Sequence, residues 1–306
     1  MAIEGAARHR DFRLLKEGLL PALKILPPRK RRTPFAAGRT AVTQRRGSTA
    51  DPICIQWDSE QWRNHLKTRY APSALKVAAL IPAYQAQDSV PDVIRAIQAQ
   101  ADSQGMTLPV WLVDDGSTDD TATVSNVAGA KVIRHATNRG KGAALLTGLR
   151  ALALEGFAAA VTVDADGQHP AEEALRLACH PAPAETLVLG VRDLVRDGAP
   201  RSSRFSNSIS NRFLSLFSGQ ALRDTQCGLR RYPLPQILDL APRSPGYAFE
   251  AEVILRAARA GVEIIETPIR VWYPPPSRRV SHFHSVKDPT RIVFRVLSTW
   301  LERGAS

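Results

Sequence analysis

From residue 77 onward, short apolar runs alternate with segments of helical periodicity, and nothing else in the chain restricts its fold as strongly. Residues 77–81, 110–113, 131–134, 159–163 and 186–190 read as strands. Helices are expected over 89–100, 118–127 and 141–155, the first capped by Asp88 or Ser89 with Pro91 in its opening turn. Strands that alternate with helices predict an α/β domain with a mostly parallel central sheet flanked by helices and joined by right-handed crossovers. Ligands of such sheets sit at the carboxyl ends of the strands.

Three polar clusters fall at those ends. Pro82-Ala83-Tyr84 closes the first strand, where the Tyr84 ring is suited to cover a base. Asp114-Asp115-Gly116-Ser117-Thr118-Asp119 follows the second; one of its carboxylates can accept from a base or ribose, or the cluster is only a helix cap. Asp164-Ala165-Asp166-Gly167-Gln168-His169-Pro170 follows the apolar run 157–163. Side chains alternate faces along an extended chain, so Asp164 and Asp166 point the same way and can meet one cation. Two carboxylates and the Gln168 carbonyl are hard oxygen donors, a set for Mg2+ or Mn2+ rather than zinc, unless the segment is a simple Asx turn. Asn138-Arg139-Gly140-Lys141-Gly142 precedes a helix, where backbone N–H groups and two cations can meet a phosphate. It lacks P-loop spacing, and no G-x-G-x-x-G follows the first strand, which excludes a dinucleotide-dependent oxidoreductase.

The net charge of +12 is unevenly spread: residues 1–50 carry +9 and the remainder +3. The first 50 residues, with Pro27-Pro28 and Arg29-Lys30-Arg31-Arg32, are expected to be a basic, largely disordered and flexible extension. Phe12, Leu15, Leu19, Leu23 and Leu26 recur there at helical spacing, so the extension is either a peripheral contact with an anionic membrane, a solvated tail or a helix docked on the domain. No reader motif supports nucleic-acid binding. Residues 51–76 are read as a connecting segment and 77–306 as the domain. No apolar run is long enough to span a bilayer, no secretory signal is evident, and Cys54, Cys179 and Cys227 form neither a disulfide framework nor a zinc spacing. A cytoplasmic setting is expected, peripheral at the membrane face if the extension binds lipid.

In order and spacing these clusters, with Asp224-Thr225-Gln226-Cys227-Gly228-Leu229-Arg230 and Phe249-Glu250-Ala251-Glu252 after them, resemble the family-two glycosyltransferases of GT-A fold, close to the dolichyl- and polyprenyl-phosphate sugar synthases. The likeness runs from about residue 77 to 283. It implies a GT-A nucleotide-sugar-binding fold, a nucleoside diphosphate sugar donor, inversion at the anomeric carbon, and a lipid-linked or otherwise apolar acceptor at the cytoplasmic membrane face. Pro82, Tyr84 and Asp114 or Asp115 would hold base and ribose. Asp164, with Ala165 and Lys141, would lie by the diphosphate, and Asp166 and Gln168 would ligate the metal. Arg192 and Arg204 fall in the region that meets an acceptor phosphate, suited to guanidinium forks, unless they are solvated surface. A phosphate acceptor needs no general base. A hydroxyl of a soluble or pigment-like acceptor does, and Asp224 or Glu250 would then supply it, unless either is the structural partner of Arg223 or Arg230. A sugar-nucleotide-binding module without transfer is the remaining alternative.

The sequence departs from the family pattern at two places. Tyr84 is followed by Gln85 and Ala86, where an acidic residue is common. Near the C-terminus, Arg278-Arg279-Val280-Ser281-His282-Phe283-His284 places His282 where the synthases carry a lysine over the diphosphate; an imidazole is less positive near neutral pH, and Arg279 can compensate. Tyr273-Pro274-Pro275-Pro276 suggests a stiff lead into a mobile lid. Ile292, Val293, Val296, Leu297, Trp300 and Leu301 share a helical stripe expected to pack on the domain.

Overall fold

The computed structural model describes residues 75–273, all within the unit that spans 52–306. The basic extension, the connecting segment before Leu75, Arg279, His282 and the C-terminal stripe lie outside the described residues.

Seven strands form one sheet in the order β3-β2-β1-β4-β6-β5-β7. In chain order these are β1 (Val77–Ala83), β2 (Val110–Asp114), β3 (Lys131–Arg134), β4 (Ala159–Thr162), β5 (Leu187–Arg192), β6 (Arg230–Pro233) and β7 (Ile264–Ile269). Every pairing is parallel except those of β6, which runs antiparallel to both β4 and β5. The expected α/β fold with a mostly parallel sheet is therefore the one observed. Strand β6 lacks the crossover that parallel pairing requires, because it enters from a loop on the carboxyl side of β4.

The helices are α1 (Val90–Ser103), α2 (Thr121–Val127), α3 (Lys141–Leu154), α4 (Ala171–Ala178), α5 (Arg201–Ser218), α6 (Leu234–Asp239) and α7 (Ala248–Ala260). Strand periodicity assigns the two cores. Val77, Ala79, Ile81 and Ala83 of β1 face α1 and α4, where Ile94, Ile97 and Leu177 meet them, whereas Ala78 and Leu80 face the second core with Leu145, Leu149 and Leu152 of α3 and Phe249 of α7. Leu80 is fully buried, and its methyl groups lie where a Cβ on Gly148 would sit, so α3 approaches β1 more closely than any side chain there would allow.

Helix α2 starts at Thr121, three residues later than the apolar pattern predicts. The residues before it are used otherwise. Asp119 Oδ1 accepts from Thr121 N and Thr121 Oγ1, and Ser117 and Thr118 bind Gln85. Ser89 is the N-cap residue of α1, but its hydroxyl makes no cap hydrogen bond. It donates instead to the Ala165 carbonyl at 2.8 Å, fixing the turn after β4.

Candidate active site

The turn after β4 and the first turns of α3 and α7 meet at Lys141, and the end of β2 holds the loop that precedes it. Its Nζ lies 2.7 Å from Asp164 Oδ1 and 3.2 Å from Glu250 Oε1, so one ammonium joins the turn after β4 to the first turn of α7. Burial alone would lower the Lys141 pKa; the Asp164 and Glu250 charges more than reverse this and hold it above the usual lysine range. Burial alone would likewise raise Asp164, but Lys141 and His169, whose Nε2 is 3.6 Å away, keep it ionised well below the usual carboxylate range. Gly228, before β6, presses against the same carboxylate: a Cβ there would occupy the position of Asp164 Oδ1 and Oδ2. The glycine of the Cys227-Gly228-Leu229 segment is thus required by close approach.

Asp166 differs from its neighbour. Its side chain reaches solvent at the mouth of the site, and Oδ1 accepts from Gln168 N at 3.0 Å. The protein mass around it, and then the Asp164 charge, push its carboxyl up. Among the described residues no cation pairs with it directly, although the Lys141 and His169 charges act on it from beyond Asp164. No group of three or more His, Cys, Asp or Glu side chains suited to a metal occurs among the described residues. A cation at Asp166 would therefore draw most of its ligands from a bound molecule, which is how Mg2+ and Mn2+ are held with phosphates. The donor set fits that use: two hard oxygens, one of them a carboxylate raised by a neighbouring negative charge.

The second cluster is built inward. Asp115 is buried; Oδ1 accepts from Arg139 N at 2.9 Å and contacts His135 Nδ1 at 2.7 Å, and Oδ2 accepts from Gly140 N at 2.7 Å. The N–H groups of Arg139 and Gly140, expected to meet a phosphate, are spent on this carboxylate. Asp115 thereby fixes the loop that delivers Lys141, and His135, which sequence reasoning missed, is pinned beyond it by Thr147 Oγ1 at 3.0 Å. Asp114 is also buried. Its Oδ1 accepts from Ser117 N at 2.9 Å, while Oδ2 lies 3.1 Å from Arg134 Nε at an angle outside hydrogen-bond geometry and so keeps unused accepting capacity. Register shows why Arg134 is there: it stands opposite Asp114 in the β2–β3 pairing.

Pro82 is held in β1 opposite Val113, and Tyr84 follows the strand, half-buried. Gln85, where an acid was expected, takes a left-handed turn (φ 51°) and laces the two strand ends together, its N–H donating to Ser117 Oγ and its amide to Thr118 Oγ1. An uncharged side chain with both donor and acceptor suits that role.

Arg192 ends β5 and grips Asp224 through two bonds, Nε to Oδ2 at 2.7 Å and Nη2 to Oδ1 at 3.0 Å. Asp224 is fully buried and also accepts from Arg192 N. Its partner is therefore neither Arg223, which pairs with Glu266, nor Arg230, whose guanidinium binds the Cys227, Thr225 and Glu250 carbonyls. Beyond Arg192 opens a cleft of about 770 Å³ lined by Arg204, Asn207, Ser208, Asn211 and Arg212 among others. Within two of these residues, Arg204 Nε and Asn207 Oδ1 are buried without a hydrogen-bond partner. Arg204 lies one turn inside α5, which begins at Arg201. Of the sequence-predicted residues, Asp164, Lys141 and Glu250 thus make one linked group, with Asp166 beside Asp164, while Arg192 and Asp224 make another, with Arg204 in the adjoining cleft.

No described helix is long and apolar enough to cross a membrane. The chain is 32% identical over 167 residues, 53% of its length, to an undecaprenyl-phosphate 4-deoxy-4-formamido-L-arabinose transferase of Klebsiella pneumoniae, and it spans about half the length of that relative (50%). It is 26% identical over 219 residues to glycosyltransferase AglJ of Haloferax volcanii, covering 71% of this chain and 69% of that one. Among solved structures it is similar in fold to glucosyl-3-phosphoglycerate synthase of Mycobacterium tuberculosis in complex with Mn2+, uridine diphosphate and phosphoglyceric acid, with a TM-score of 0.58 at 18% identity over 82% of this chain and 84% of that one. The GT-A architecture expected from the motifs is that of these neighbours. The family model of glycosyl transferase family 2 matches residues 78–232, from the second residue of β1 into β6 and just over half of the chain, and the protein belongs to that family.

Proposed function

We propose that this glycosyltransferase moves one sugar from a nucleoside diphosphate donor to the phosphate of a lipid-linked, polyprenyl-phosphate-like acceptor, with a divalent cation and inversion at the anomeric carbon. The observation that carries the acceptor assignment is the arginine-lined cleft beside Arg192, two of whose lining residues, Arg204 and Asn207, have Nε and Oδ1 buried without hydrogen-bond partners. A phosphate would satisfy the guanidinium there. The two acids a hydroxyl acceptor would call on are already engaged, Asp224 by Arg192 and Glu250 by Lys141. A phosphate is an anion as it arrives and needs neither of them. The relatives named for undecaprenyl phosphate point the same way.

On the donor side, Tyr84 with Pro82 would cover the base, and the free accepting capacity of Asp114 Oδ2 suits a ribose hydroxyl better than the saturated Asp115 does. Asp166 and Gln168 would hold Mg2+ or Mn2+, whose charge would offset that developing on the leaving diphosphate. Asp164 is kept ionised by Lys141 and so keeps the ammonium beside that diphosphate. Ala165, its carbonyl fixed by Ser89, sets the spacing between the two acids.

The test is product analysis. The full chain is incubated with a panel of nucleotide sugars, with Mn2+ or a chelator, and with undecaprenyl phosphate, the corresponding alcohol or 3-phosphoglycerate. A glycosylated lipid phosphate that forms only with the cation is the expected product. Transfer confined to the alcohol or to phosphoglycerate overturns the acceptor, and tight donor binding without turnover on any acceptor overturns the enzyme reading.

A further inference from the structure

Helix α5 is built inside out. Over its first ten residues the buried positions are polar, Ser206, Asn207 and Ser210, while Phe205 and Ile209 face outward. The buried side is held by hydrogen bonds: Ser210 Oγ meets Thr225 Oγ1 at 2.8 Å, and Asn211 Oδ1 accepts from Thr225 N at 2.9 Å. The outer side has no such reason to be apolar. Phe205 is 67% exposed, Ile209 38% and Leu216 63%, values that place three large apolar side chains in solvent on one helix. At about 100° per residue, Phe205, Ile209 and Leu216 fall within roughly 40° of one another, and Arg201 and Arg212 flank them on the same face. Helix α5 contains no acidic residue, and Arg201 and Arg212 have no carboxylate partner among the described residues. From Arg201 to Leu216 this face runs about 22 Å at 1.5 Å per residue.

We infer that the outer face of α5 docks on an anionic lipid bilayer, with Phe205, Ile209 and Leu216 entering the headgroup boundary and Arg201 and Arg212 meeting lipid phosphates. The charge argues for lipid over another apolar partner. A ridge whose charged neighbours on the helix are arginines is unfavourable against a second copy of itself across a symmetric interface, whereas an anionic surface complements it. Position argues the same way, since the adjoining edge of the helix carries Arg204 and Asn207 into the cleft, Arg212 stands at the border between that cleft and the apolar face, and exposed Val195 lines the cleft as well. A bilayer against α5 would bring lipid phosphates level with the cleft mouth. The inference deepens the proposed function by naming the surface that would present a lipid-linked acceptor, and it rests on that reading only for this link.

The experiment uses the full chain with vesicles of phosphatidylcholine alone or with phosphatidylglycerol, containing no polyprenyl phosphate and no nucleotide sugar. The wild type is expected to sediment with the anionic vesicles. F205S/I209S/L216S should reduce the apparent partition coefficient on the order of tenfold or more, with a cooperative unfolding transition retained and the melting temperature lowered by only a few degrees, since Phe205 and Leu216 are mostly exposed and Ile209 partly so. R201Q/R212Q should reduce the preference for phosphatidylglycerol by a measurable part, roughly the share of two charges near the surface, with the +9 of residues 1–50 supplying the rest. Wild-type-like binding by the triple variant overturns the inference, and so does a wild type that ignores anionic vesicles. A triple variant that turns a wild-type dimer into a monomer in sedimentation velocity, with vesicle binding intact, assigns the ridge to a second copy and overturns it too. Transfer to a detergent-solubilised acceptor is measured in parallel. A chain that glycosylates lipid phosphate but ignores vesicles sinks the docking and spares the proposed function; binding through α5 without transfer to any acceptor does the reverse.

Discussion

Among the described residues, Lys141 is the one cation that touches acids from both the β4 turn and helix α7, and its removal has two opposed consequences. In Lys141→Met, Asp164, Asp166 and Glu250 are left as neighbouring carboxylates with less positive charge among them. Breaking a buried pair costs about 3 kcal/mol in the protein without added metal, which a chemical denaturation curve would register. The same variant should gain more thermal stability from Mn2+ than the wild type does, because the cation then replaces the ammonium. Equal Mn2+ shifts in both proteins would count against Asp166 and its neighbours as the metal site. Two other buried groups set the alkaline limit of the fold. Burial pushes the Cys227 thiol up to about 12, and burial pushes the Tyr232 phenol up to about 12. Each holds its proton more tightly in the folded chain than in the unfolded one. Their contribution to stability is therefore complete below the unfolded pKa values, roughly 8.5 for a thiol and 10 for a phenol, and is lost as the pH rises towards the folded ones. The melting temperature should fall steadily from pH 9 to 11, and a thiol reagent at pH 8 should leave Cys179 and Cys227, both buried, unmodified until the protein unfolds. Rapid labelling of Cys227 in the native protein would contradict this.

Strand β5 is tied to the segment before β6 by the Arg192–Asp224 pair, and that tie belongs to the elements more than to either residue. Asp224→Asn keeps the shape but removes the charge, leaving a mostly buried guanidinium unneutralised. A loss of about 3 kcal/mol in unfolding free energy is expected, with a matching fall in transfer because Arg192 is freed from its position. Swapping the pair for an apolar one of similar volume should recover stability without recovering transfer. The same elements show where period alone stops being informative. Strands β1, β2 and β4 and helices α1 and α3 were legible in the sequence because each buries an uninterrupted apolar run or stripe, as Val77, Ala79 and Ile81 do against Ile94 and Ile97. The antiparallel course of β6 was not legible. Its residues Arg230 and Arg231 are buried charges that donate to the carbonyls of Cys227, Thr225, His180 and Pro183, and such a strand carries no apolar signature. Helix α5 likewise hides its inner polar face from any rule that buries apolar residues.

For the whole molecule, the order of the motifs made the site legible, since a parallel sheet brings the loops after β1, β2 and β4 to one edge whatever lies between them. What that order could not separate was acids aimed at a ligand from acids aimed at the chain. Asp114 and Asp115 are adjacent in sequence, yet Asp115 is saturated by Arg139, Gly140 and His135, more than 19 residues away, and its neighbour retains an oxygen with spare capacity. The distribution of charge raises the remaining question of how such a domain would reach a lipid acceptor. Of the net +12, residues 1–50 carry +9, so any attraction to an anionic surface divides into a strong, salt-sensitive part from the extension and a weaker, largely apolar part from α5. A chain that begins at residue 51 should accordingly bind anionic vesicles at least tenfold more weakly at low salt, yet show a flatter dependence on ionic strength. What binding remains should still be abolished by F205S/I209S/L216S. Its transfer to a detergent-solubilised acceptor should match the full chain, because the residues described around Lys141 and Arg192 all lie outside the deleted part. Vesicle sedimentation over a salt series separates the two contributions: an unchanged salt slope after the deletion would remove the extension from membrane binding and leave α5 to act alone.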